Sequence, residues 1–119
     1  MDAPLDRLRA ICLALPEASE RLSHGTPWWF VREKRAFACY SENHHGDGRV
    51  ALWCDAPPGA QQALVDAALV RFFVPPYVGS RGWLGVRLDR EPDWDEIAAL
   101  VEQAHATALA ALPRRRRVP

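Results

Sequence analysis

Residues 28–55, WWFVREKRAFACYSENHHGDGRVALWCD, constrain this fold more than any other stretch. Three runs rich in aromatic and aliphatic residues stand close together: WWFVR (28–32), RAFACYS (35–41) and RVALWCD (49–55). Only Glu33 and Lys34 separate the first run from the second, and ENHHGDG (42–48) separates the second from the third. Parallel neighbours need a crossover of a dozen residues or more, so connections this short leave only antiparallel pairing. The segment reads as a three-stranded meander, and the rest of the chain must pack on it.

The flanking segments supply helices. Leu5, Leu8, Cys12 and Leu15, with Ile11 beside them, follow a 3.6-residue period and predict a first helix ending near Pro16. PEASERLSHGTP (16–27) is polar and punctuated and reads as a loop. A second helix is expected from Pro57 to about Val70, with a proline in its first turn. WLGVRLD (83–89) alternates Leu84, Val86 and Leu88 on one side and reads as a fourth strand. Asp93 with Glu96 three residues later resembles a capping box, opening a helix whose stripe is Ile97, Leu100, Val101, Ala104 and Ala108. The order α-β-β-β-α-β-α predicts an α+β sandwich, a four-stranded antiparallel sheet with helices on one face. The 119 residues suit one domain, here residues 1–113, followed by an Arg-rich tail at 114–119.

Charge separates the possible partners. Four of the fifteen basic residues stand in the tail, so the body carries eleven against fifteen acidic, a net of about −4. A dedicated nucleic-acid binder usually has a basic domain, so DNA binding here has to rest on a local patch. No apolar run is long enough to span a membrane, and Asp2 and Asp6 break a signal-peptide pattern, so the expected address is cytoplasmic. Cys12, Cys39 and Cys54 lack a disulfide-scaffold spacing and read as reduced thiols.

Catalytic signatures are missing: no G-x-S-x-G, phosphate loop, H-E-x-x-H or C-x-x-C occurs, and no nucleophile–base pair can be named. A binding protein is therefore favoured over an enzyme, with no cofactor expected. His44 and His45 between Cys39 and Cys54 invite a zinc reading, but adjacent histidines project differently and both thiols share parity with core residues. Cys39, alternating with Phe37, should face the core, and the two histidines should be solvated.

His24 lies on a Gly-Pro loop, and Trp28 and Trp29 must face opposite sides of the sheet. In PPYVGSRG (75–82), Pro75 and Pro76 stiffen the approach, while Gly79 and Gly82 permit positive φ around Arg81. Arg81 could hold a phosphate or carboxylate bidentately with Tyr77 beside it. Arg87 shares the parity of Trp83, away from the core.

ALPEASERLSHGTPWWFVREKRAFA (14–38), RFFVPPYVGSRGWLGVRLD (71–89) and DWDEIAALVEQAH (93–105) together resemble the MmcQ/YjbR-like family, in the same order and up to about Leu112. The resemblance implies a fold related to frataxin and CyaY. It also implies DNA binding through a double-wing arrangement, here the connections at Glu33–Arg35 and Ser41–Arg49 and the loop Tyr77–Trp83. Phosphate contacts would then come from Arg32, Lys34, Arg35, Arg49 and Arg81, with Tyr77 or a tryptophan stacking. The acidic ridge of frataxin-type iron chemistry is not matched, because the first helix offers only Asp2 and Asp6. The close, ATALAALPRRRR, departs from the family pattern. The alternative is a module for a small anionic ligand or partner protein, using a pocket between His24, Trp29, Tyr77 and Arg81, with Trp83 nearby. Unpaired sheet edges allow a dimer but nothing in the strands demands one.

Overall fold

The meander forms antiparallel, as its connections require: β2 (Thr26–Val31), β3 (Arg35–Glu42) and β4 (Val50–Cys54) pair in that order. At the β2–β3 turn the Lys34 N–H donates to the Val31 carbonyl at 3.1 Å, and Arg32 and Glu33 take φ of 52° and 55°. Positive φ at both central residues is the primed turn whose twist matches that of the flanking strands. The computed structural model describes residues 3–113, so the tail expectation for residues 114–119 lies outside the described residues.

Among the described residues the sheet has six strands, not the expected four, in the order β1-β2-β3-β4-β6-β5. β1 (Ala18–Ser23) arises from the stretch expected to be a loop and pairs along its whole length with β2, through a second primed turn at His24 (φ 53°) and Gly25 (φ 80°). Its polar sequence hid it. A strand at a sheet edge gains its partner through backbone groups and can carry charge along its length. β5 (Phe72–Phe73) is a two-residue pairing on β6 (Leu84–Arg87), too short for any sequence period. The helices are α1 (Pro4–Leu13), α2 (Ala60–Ala67, shorter than expected) and α3 (Trp94–Ala111).

One face of the sheet packs on α1 and α3. Leu8 and Cys12 of α1, Trp29, Phe37, Leu52, Leu84 and Val86 of the sheet, and Ile97, Val101, Ala104 and Ala108 of α3 form this core. Asp93 caps α3, its Oδ1 accepting from the Asp95 and Glu96 N–H groups. The Glu96 carboxylate reaches Arg71, which ties α3 to the chain just before β5. His105, an unanticipated member of the buried α3 stripe, lies 2.7 Å from the Pro16 carbonyl through Nε2 and fixes α3 to the α1–β1 connection.

The opposite face carries a second apolar cluster of Cys39, Ala51, Trp53, Phe73, Val78 and Trp83, joined by Trp28 and Ala36. A β-bulge decides which residues reach it. Phe30 pairs Ala36 but Trp29 pairs Ala38, leaving Phe37 as the extra residue. The bulge breaks the alternation. Phe37 and Ala38 both join the helix-side core, and Cys39 turns to the other face, contrary to the parity expected from Phe37. Gly85 admits the Phe73 ring onto this face, since a Cβ there would stand 2.5 Å from it.

Candidate ligand-binding site

A cavity of about 630 Å³ opens on this second face. Its floor follows from strand register: Trp28 of β2 pairs Cys39 of β3, which pairs Trp53 of β4. Thr26 and Ser41 extend the floor toward the end where the β1–β2 turn brings His24 and the β3–β4 connection brings His44 and His45. The connection before β6 closes one side with Tyr77 and Val78.

Tyr77 is held by an unusual backbone. It takes φ 63° and ψ −69°, and the Val78 N–H donates to the Pro76 carbonyl at 2.7 Å. This is the rare γ-turn of positive φ, a strained state for a residue with a side chain. Gly82 adopts positive φ, as expected for the loop, whereas Gly79 does not. Gly79 is needed because a Cβ would lie 2.6 Å from Val74 Cγ1, where the loop closes on itself. The Tyr77 ring is 72% exposed, and its hydroxyl is 3.3 Å from His45 Nε2. His44 makes edge-on contacts with both Trp53 and Tyr77, at centroid distances of 5.1 and 5.9 Å.

The cavity's polar atoms are out of balance. Trp28 Nε1, Trp53 Nε1, Ser41 Oγ and His44 Nε2 are all buried with no hydrogen-bond partner among the described residues. Buried polar groups are paired in the great majority of cases, so four orphans around one cavity call for an explanation. Cys39, on the floor, is no nucleophile. Burial pushes its thiol far up, and the neighbouring Cys54 adds to the effect. Burial likewise raises Cys54 to about 12. Among the described residues no three His, Cys, Asp or Glu side chains are placed to hold a metal ion.

The residues singled out in the sequence are dispersed. His24 and Tyr77 line the cavity. Trp29 does not: it is fully buried on the helix side, donating from Nε1 to Glu20 Oε1 at 2.9 Å, and its neighbour Trp28 occupies the cavity wall. Trp83 lies buried beneath the loop, 6.0 Å from the Trp28 ring. Tyr77 and Arg81 separate toward opposite ends of the sheet. Arg81 sits 5.6 Å over the Trp83 ring, near the end of β4. There its charge and that of Arg35 oppose the rise that burial imposes on the Asp55 carboxyl. Arg32 is bound to Glu17 at 2.8 Å, and Lys34 is exposed on the same turn. Arg49, before β4 and so at the cavity end, lies 4.1 Å over the Phe73 ring with Asp47 at 4.0 Å.

Sequence reasoning missed Trp28, Ser41 and Trp53 as wall residues and took His44 for a solvated loop residue. The alternation of Trp28 and Trp29 was legible. Which one met Trp53 across the sheet depended on the bulge.

Comparison with known proteins supplies the lineage. A family model described as YjbR matches residues 13–107. The chain belongs to the YjbR family. The span matched to YjbR contains every residue lining the cavity. A crystal structure of Deinococcus radiodurans protein DR2400, a DUF419 domain, is similar in fold. Its TM-score is 0.75 at 17% identity, over 93% of this YjbR chain and 84% of that one. No curated protein matches the chain. No helix among the described residues is long and apolar enough to cross a membrane.

Proposed function

We propose that this YjbR protein is a non-catalytic binding module for a small molecule, held in the aromatic cavity between Trp28, Trp53 and Tyr77. The observation that carries this reading is a cavity of ligand size walled by aromatic side chains, four of whose lining residues also hold a buried polar atom with no partner among the described residues. Two features support it. Tyr77, which lines the cavity, is held in a strained γ-turn, and such backbone strain is found at ligand clamps. The cavity's thiol, Cys39, is buried and its pKa is pushed far up, which speaks against its use as a nucleophile. The test is a fragment screen read on the two indole N–H resonances in ¹H–¹⁵N spectra. Binders should shift the Trp28 and Trp53 signals first. A screen whose hits move only signals elsewhere sinks the proposal.

DNA binding through Arg32, Lys34, Arg35, Arg49 and Arg81 has less behind it. Arg32 and Arg49 stand beside acids, and Arg49 lies at the other end of the sheet from the rest. Fluorescence anisotropy of labelled duplex at two salt concentrations decides it, since phosphate contacts weaken steeply as salt rises. Comparing the full chain with one ending at Leu112, and with Arg81→Ala, separates the domain from the tail.

A further inference from the structure

We infer that the ligand is a flat, uncharged ring compound carrying carbonyl acceptors, such as a lactam or a purinone-like base. This rests on the reading above that the cavity is a binding site. The walls fix the shape. Trp28, Trp53, His44 and Tyr77 present aromatic surfaces, and the volume accommodates a bicyclic or tricyclic ring.

The orphan atoms fix the polarity. An indole N–H can only donate, so Trp28 and Trp53 demand acceptors from whatever they meet. Ser41 and His44 can serve as donors as well.

Among the described residues fixed charge is missing from the lining, which has no Lys, Arg, Asp or Glu. The two loop arginines first considered are engaged elsewhere: Arg49 over Phe73 beside Asp47, and Arg81 over Trp83. A carboxylate or phosphate buried here would lose its hydration with no fixed cation to replace it, only the imidazoles of His24, His44 and His45, whereas a carbonyl oxygen matches an indole donor without that penalty. The chemistry therefore selects an acceptor-rich neutral ligand over the anion that the loop arginines first suggested.

The four orphan atoms are closed to water in this arrangement. His44 stacks edge-on against Trp53, and Tyr77 against His44. Reaching the donors therefore requires side chains of the lining to move, and Tyr77, exposed on its strained turn, is the lining residue best placed to do so.

Four bicyclic probes test the class on the intact chain: quinolin-2-one, naphthalene, 2-naphthoate and N-methylquinolinium. Dissociation constants come from indole N–H shifts, with Trp53→Phe and Ser41→Ala compared after their unfolding curves show them folded. Quinolin-2-one should bind at least tenfold more tightly than the other three. Trp53→Phe, which keeps a ring but loses the donor, should weaken quinolin-2-one about tenfold more than it weakens naphthalene, the cost of one lost hydrogen bond beyond the shared loss of wall. Ser41→Ala repeats the comparison should the tryptophan variant not fold. Equal binding of all four overturns the class while leaving the site intact. Preference for 2-naphthoate overturns it in favour of an anion. No shift with any probe removes the site along with its ligand.

Discussion

Replacing Glu20 tests whether the unexpected strand β1 is held by one carboxylate that bridges Trp29 of β2 and Arg9 of α1. Glu20 Oε1 accepts from Trp29 Nε1 at 2.9 Å and from Arg9 Nε at 2.8 Å, while Oε2 accepts from a second Arg9 nitrogen at 3.2 Å. Trp29 is fully buried, so Glu20→Ala strands an indole donor away from water. Leaving a buried donor unmade costs about 1–3 kcal/mol, and we expect a loss near 2 kcal/mol. At this length that lowers Tm by roughly 3–6 °C per kcal/mol. Glu20→Gln keeps an oxygen for the indole and removes only the charge facing the partly exposed Arg9, so its cost should be less than half as large.

The pH dependence follows. The Arg9 hydrogen bond, more than the opposing burial, lowers the Glu20 carboxyl below its usual range. A lowered folded value means that this stabilisation is complete above the ordinary glutamate pKa of about 4.3 and fades as pH falls through the folded value. The stability gap between wild type and Glu20→Gln should therefore shrink below about pH 4. Urea unfolding at pH 7 and pH 3.5 measures both effects. Equal losses for the Ala and Gln variants, or a gap independent of pH, would refute the reasoning.

Gly85→Ala should destabilise the fold by about 1–3 kcal/mol in urea, because its Cβ would meet the Phe73 ring at 2.5 Å, and Phe73→Leu in the same chain should recover part of the loss. Asp93→Ala should cost about 1 kcal/mol by removing the α3 cap, while Asp93→Asn should cost a few tenths. All three cysteines are buried with raised thiol pKa values, so iodoacetamide at pH 8 should leave the native protein unlabelled by mass spectrometry and label every cysteine in urea. Rapid labelling of Cys39 in the native protein would mean that the cavity floor is open.

Legibility tracked the locality of the physics. The meander could be read because short connections exclude crossovers, and α3 because its cap and apolar stripe lie within a few turns of one another. β1 could not, since its Ser19, Glu20, Arg21 and Ser23 carry no apolar alternation, and its pairing comes from backbone groups presented by β2. The candidate site was half visible. His24 and Tyr77 announced themselves through glycine and proline neighbours, whereas Ser41 and Trp53 looked like ordinary strand residues.

The sequence alone determined an antiparallel α+β fold, because periodicity, capping and turn chemistry are written in neighbouring residues, and its blocks at 14–38, 71–89 and 93–105 carried the resemblance to YjbR. Tertiary structure decided the two faces of the sheet. One extra residue at Phe37 shifts the β2–β3 register, turns Cys39 toward Trp28 and Trp53, and leaves Trp29 to the helices. The loop at 74–83 then sends Tyr77 to one end of that face and Arg81 to the other. Such choices depend on which distant side chains meet across a sheet, and no local pattern in the chain carries that information.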